Sequence, residues 1–156
     1  MTREELIQSA ERLHRPSTAA AGEYARKNGR MAEKLNLIMA QRQDVTYMTG
    51  GNVAMMEDNH RNHARFMTSL FAMFSPVVLV DTVLWVFRAY RSHGFQLTYW
   101  PAQLDGWVRI LEEDLSYETF SEVLPVYNWM IVNQPAFASL SDTGLREFGA
   151  DPGIGK

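Results

Sequence analysis

The chain has 156 residues, the size of one ordinary domain and enough to close a single core. Hydrophobic residues make up 46% and the formal net charge is −3, which excludes a disordered chain and gives no electrostatic case for nucleic acid, since no basic run exceeds the scattered Arg26, Lys27 and Arg30. The absence of cysteine excludes disulfides, thiolate chemistry and cysteine-based zinc sites.

The charged, amphipathic start MTREELIQSAERLHRP has no apolar signal core. Thr2 can cap a first helix over residues 3–14, which Arg15-Pro16 ends. Ser17 or Thr18 caps a second, running to about Lys27, with Asn28-Gly29 as its stop. A third segment over 30–41 has Met31, Leu35, Ile38 and Met39 on one face. The stretch DVTYMTGG, 44–51, is a polar, glycine-bearing connection. Its glycines precede a helix start, but no strand precedes them and no Gly-Lys-Ser/Thr follows, so this is not a P-loop.

Asn52 caps a long helix over 53–73. Ser75-Pro76 restarts the chain as a helix to His93, with Gly94 as the stop, and the tight link predicts an antiparallel pair. Residues 77–80 and 84–87 form the longest apolar stretch, broken by Asp81 and Thr82, and fall well short of the ~20 apolar residues that span a bilayer. A cytoplasmic protein with no membrane contact is expected. FQLTYW, 95–100, reads as a short aromatic loop, and Pro101 opens the next helix, to about Leu115. Ser116 caps a helix over 117–133, which Pro125 should kink and Pro135 ends. The composition changes at Ser141. The expected organisation is one helical domain over 1–148 and a flexible tail over 149–156. The fold class is all-α, a bundle of five or six main helices around one core.

The stretch MMEDNHRNHARFM, 55–67, is the unusual polar feature. Positions 53, 56, 60, 63, 67, 70 and 74 read Val, Met, His, His, Met, Leu, Phe at 3-4 spacing, one face of a helix. His60 and His63 therefore interrupt the inward stripe, between Met56 and Met67 and beside Asn59. Buried imidazole needs partners for both ring nitrogens, at ~1–3 kcal/mol for each bond unmade. Two explanations stand. The pair is a satisfied polar core pair, or it contacts a ligand.

A metal needs a third group, and His14 and His93, both at helix ends, are the remaining histidines. A di-iron site is excluded, because the Glu-x-x-His spacing occurs once, at Glu57 and His60. Asp81 is a first-turns carboxylate that reaches His63 only at a stretch or through water. The methionines read as core filler, with haem ligation as the alternative. Trp107 with Leu104 and Leu111 forms a core stripe, as do Phe120, Leu124, Tyr127 and Ile131. Tyr99 and Trp100 line a pocket or a subunit interface if they escape burial.

The segments NHRNHARFM, SPVVLVDTVLWVFRAYRSHGF and LDGWVRILEEDLSYETFSEVLPVYNWM resemble the globin-like N-terminal sensory domains of bacterial stressosome regulators. The resemblance covers about half the chain, from Asn59 to Phe137. It implies a haem-free, globin-like helical arrangement, a homodimer, and a signal passed to an output partner; nothing long enough for an output domain follows here, so the signal would pass by docking. The reading is a non-enzymatic sensory or binding module with a pocket at His60, His63, Asn59, Met56, Met67, Tyr99 and Trp100. The alternative is a haem- or metal-binding helical protein using His60 or His63 as ligand. An enzyme using these histidines as acid–base groups lacks a nucleophile and a base orienter.

Overall fold

The computed structural model describes the backbone of residues 1–150 and the side chains of residues 1–142; the rest of the expected tail lies outside the described residues. The fold is all-α, with no strand and eight helices among the described residues, one of them a single turn.

Helix α1 (Arg3–Ala10) opens with a capping box. Thr2 Oγ1 accepts from Glu5 N–H and the Glu5 carboxylate accepts from Thr2 N–H, both at 3.1 Å. It ends before the expected His14, with residues 11–13 closing as tight turns. Helix α2 (Thr18–Ala40) corrects the sequence reading, since Asn28-Gly29 does not stop it. Tyr24, Met31, Leu35 and Met39 keep one buried stripe across the Gly29 position, and burying that stripe outweighs the ~1 kcal/mol helix penalty of one glycine.

The starts of two helices are tied by carboxylates from each other's bodies. Ser17, the N-cap of α2, donates its N–H and hydroxyl to Glu122 at 2.7 and 2.9 Å. Ser116, the N-cap of α7 (Tyr117–Val132), donates the same two groups to Glu23 of α2, both at 2.7 Å. Each negative charge sits at the positive end of a helix. Pro125 does not break α7. It and Ser121, whose carbonyl loses its donor, are exposed, so water can take the bond. The inward face of α7 carries Val123, Val126, Tyr127 and Met130, whereas Ile131 of the expected stripe is exposed. Apolar residues run almost all round this helix, so periodicity alone cannot phase it.

Helix α3 (Val45–Met48) is one turn inside the expected connection. Helices α4 (Val53–Ala72) and α5 (Pro76–Ser92) lie close to the expected bounds, with Ser75 Oγ accepting from Val78 N–H and Pro76 in the first turn. Helix α6 (Tyr99–Asp114) begins inside the stretch expected to be a loop. Pro101 is tolerated because the first turn of a helix has no inner acceptor to satisfy. Helix α8 (Gln134–Ala150) replaces the expected end at Pro135, which sits in its first turn, while Phe137 is wholly buried.

Helix α2 packs against α4, α6 and α7, while α5 packs against α1 and α8. The antiparallel pair α4 and α5 is closed at both ends and open between them. One end is the Ser75-Pro76 link. At the other, Gly50 and Gly94, at φ +60° and +92°, pass so closely that a Cβ on Gly50 would lie 2.6 Å from Gly94 O. Asn52 Nδ2 donates to His93 O at 2.7 Å and Gln96 N–H to Met48 O at 2.8 Å, which completes this clasp.

Candidate functional site

The histidine phase places two imidazoles on the inward face of α4, but they do not converge. His60 is wholly buried; its Nδ1 lies 2.6 Å from Asn36 Oδ1 on α2 and its ring runs parallel to Tyr99, centroids 6.1 Å apart. With an oxygen as acceptor, Nδ1 holds the proton, and Nε2 is a buried acceptor without a partner among the described residues. His63 points to α7 and α6. Its Nε2 lies 2.8 Å from Tyr127 Oη, and its ring rests 4.8 Å from that of Trp107. Burial drives the pKa of His60 down to about 3, helped by repulsion from His63 when that ring is protonated and from Arg61, and burial alone does the same for His63. Both rings are neutral at physiological pH.

Between α4 and α5 lies a cavity of about 260 Å³. His63, Phe66 and Met67 line it from α4, Val86, Phe87 and Tyr90 from α5, Trp100 and Leu104 from α6, and Met130 from α7. Asn62 and Trp85, which also line it, are exposed and mark the mouth. The lining is mostly aliphatic and aromatic, and among the described residues it contains no Lys, Arg, Asp or Glu. Its polar groups are few: His63, Asn59, Asn62, Thr82, Gln103, the phenol of Tyr90 and the indoles of Trp85 and Trp100.

Asn59 is held in place by neighbouring side chains. Its Oδ1 accepts from Tyr99 Oη at 2.6 Å and from Gln103 Nε2 at 3.5 Å. Burial pushes the Tyr90 phenol up, partly offset by hydrogen bonding to Asn59 and Asn62. Behind His63 the relay continues, with Tyr127 Oη 2.7 Å from Tyr24 Oη, both side chains wholly buried. Burial raises both phenols, so neither ionises near neutrality.

Of the residues the sequence singled out, Asn59, His63, Met67 and Trp100 line the cavity. His60, Met56 and Tyr99 are buried behind it and do not reach it. Tyr99 and Trp100 are not loop residues but the first turn of α6, with 0% and 4% exposure, so they form no external surface. His14, expected at a helix end, is exposed in the link between α1 and α2, and His93 is exposed at the end of α5. Among the described residues no three His, Cys, Asp or Glu side chains come together as a metal set. Asp81 does not reach the site, because Arg3 of α1 holds both its oxygens at 2.7 and 2.9 Å. Sequence reasoning missed Tyr127 as the partner of His63 and the α5 wall from Val83 to Tyr90, whose one signal was the aromatic run on a helix facing α4.

Comparisons of the chain with protein-family models, with curated proteins and with solved structures find no match. Function therefore rests on the chemistry of this site. No helix among the described residues is long and apolar enough to cross a membrane.

Proposed function

We propose that this chain is a non-enzymatic, cytoplasmic binding module of bacterial signalling type, which takes a small, mainly apolar molecule between α4 and α5. The observation that carries this reading is the cavity of about 260 Å³ with His63 in its wall. An apolar cavity of about 150 Å³ already accepts benzene, and drug-sized sites run from about 300 Å³, so a substituted ring fits and a haem does not. The lining also argues against catalysis. His63 is the one strong acid–base candidate in it among the described residues, its low pKa makes it a poor base, and no carboxylate orients it.

The two clasped ends suggest how occupancy is reported. With the ends of α4 and α5 fixed, a bound molecule acts on the spacing of their middles, beside the exposed Trp85. The resemblance to stressosome sensory domains supplies the remainder of the proposal: a homodimer that passes its signal by docking to a protein partner.

Titration with ethylbenzene, followed through methionine methyl resonances, tests the binding step. Saturable shifts are expected at Met67 and Met130, which line the cavity, and none at the exposed Met73. Unchanged Met67 and Met130 signals up to the solubility of the probe would sink the reading.

A further inference from the structure

The direction of the tyrosine relay sets what the cavity can recognise. Tyr24 Oη has Tyr127 Oη as its one hydrogen-bond partner among the described residues, and Tyr127 Oη in turn lies 2.8 Å from His63 Nε2. Both phenols are wholly buried and un-ionised, so two hydroxyl protons need acceptors. Suppose Nε2 held the imidazole proton. Three protons would then share two phenol oxygens, and one hydroxyl hydrogen would be stranded in the interior, at the full cost of a buried unmade bond. With Nε2 bare, Tyr24 donates to Tyr127, Tyr127 donates to Nε2, and both hydroxyl protons are used. The neutral ring must then carry its proton on Nδ1. That atom has no hydrogen-bond partner among the described residues. Unlike His60 Nε2, it is not sealed from the cavity that His63 lines.

We infer that the cavity selects an uncharged, mainly apolar molecule bearing one hydrogen-bond acceptor, a ketone, ester or amide carbonyl, which His63 Nδ1–H receives. This rests on the binding reading above and names its ligand class. A hydrocarbon leaves the imidazole donor unpaired. A carboxylate enters without a counter-charge, because the described lining has no cation, and its desolvation goes uncompensated. Phe66, Phe87 and Trp100 supply flat walls for a ring or branched chain.

Two measurements on the full chain test this. The first is the ¹⁵N spectrum of the His63 imidazole in the unliganded wild-type protein, which needs no variant to fold. A protonated Nδ1 with bare Nε2 is expected, and the opposite tautomer overturns the inference. The second is a matched titration with acetophenone, ethylbenzene and benzoate. Acetophenone should bind about tenfold more tightly than ethylbenzene, the worth of one neutral hydrogen bond, and benzoate should bind no better than ethylbenzene. In His63→Phe the two neutral probes should bind alike. In Tyr127→Phe, which frees Nε2 to take the proton, the gap should narrow while ethylbenzene keeps its wild-type affinity. Equal binding of acetophenone and ethylbenzene by the wild type, or a preference for benzoate, overturns the inference and leaves the binding reading standing. Failure of both neutral probes to bind overturns both.

Discussion

His60 and His63 are neutral because the interior does not hydrate an imidazolium, and that has a measurable consequence for stability. Their folded pKa values of about 3 lie below the unfolded value of ~6.5. The unfolded chain therefore binds more protons between those limits. The stabilisation is complete above about pH 6.5 and is lost as pH falls toward 3, at up to about 1.4 kcal/mol per pH unit for each histidine. Urea unfolding between pH 6 and 5, where carboxylates titrate little, should show a loss of about 2.5 kcal/mol per unit in the wild type. His60→Gln, which keeps a polar partner for Asn36, should show about half that slope. An equal slope in both proteins would mean that His60 is already charged in the fold. At this scale the sequence was informative about direction and silent about partners. The 3-4 spacing turned both rings inward, as the structure has them. Asn36 and Tyr127 come from α2 and α7, and no local pattern in α4 announces a partner so far along the chain.

At the scale of helices, the reciprocal capping of α2 and α7 makes their ends interdependent. Glu23 accepts from Ser116 N–H, Ser116 Oγ, Thr119 Oγ1 and Lys27 Nζ at 2.7–2.8 Å. Burial alone would raise its pKa, but hydrogen bonds from Lys27, Thr119 and Ser116 outweigh it and bring the carboxyl to about 2. A lowered acid contributes stability above its unfolded pKa of ~4.3 and loses it as pH falls to about 2. Glu23→Gln, which turns one acceptor oxygen into a donor facing donors, should cost about 3 kcal/mol at pH 7 in urea unfolding, with the difference from wild type shrinking at pH 3. Two glycines should respond with opposite signs. Gly50→Ala forces a Cβ against the Gly94 carbonyl at positive φ and should destabilise by about 2 kcal/mol or more. Gly29→Ala, in open space on an exposed helical turn, should stabilise by about 0.5–1 kcal/mol. Asn28-Gly29 is also where local reading failed. A stop signal is a weak preference, and the buried stripe from Tyr24 to Met39 settles the question against it. The same holds for α8, where Pro135 was read as a stop and the chain continues as a helix that buries Phe137 in the core.

At the scale of the whole molecule, an all-α chain was legible from punctuation and period, but the cavity was not. It exists because α5 leans on α1 and α8 while α4 leans on α2, leaving a pair tied at its ends and parted in the middle. Helix period gives the faces of α4 and α5; it does not say which third and fourth helices will claim them. A void with walls this apolar forgoes dispersion contacts on one side, so filling it should raise stability and remove binding together. Val86, partly buried on the α5 wall, is the residue to enlarge. Val86→Phe places a ring where a ligand ring would lie. It should add about 1 kcal/mol, or roughly 2–4 °C in Tm for a chain of this size, and weaken ethylbenzene more than tenfold. The two readouts separate the causes. A destabilised variant that still binds would mean that the new ring is refused by the core and turns to solvent at the mouth. A stabilised variant that still binds would move the ligand out of this cavity. The joint gain in Tm and loss of affinity is the signature of one space between α4 and α5, claimed either by a side chain or by a guest.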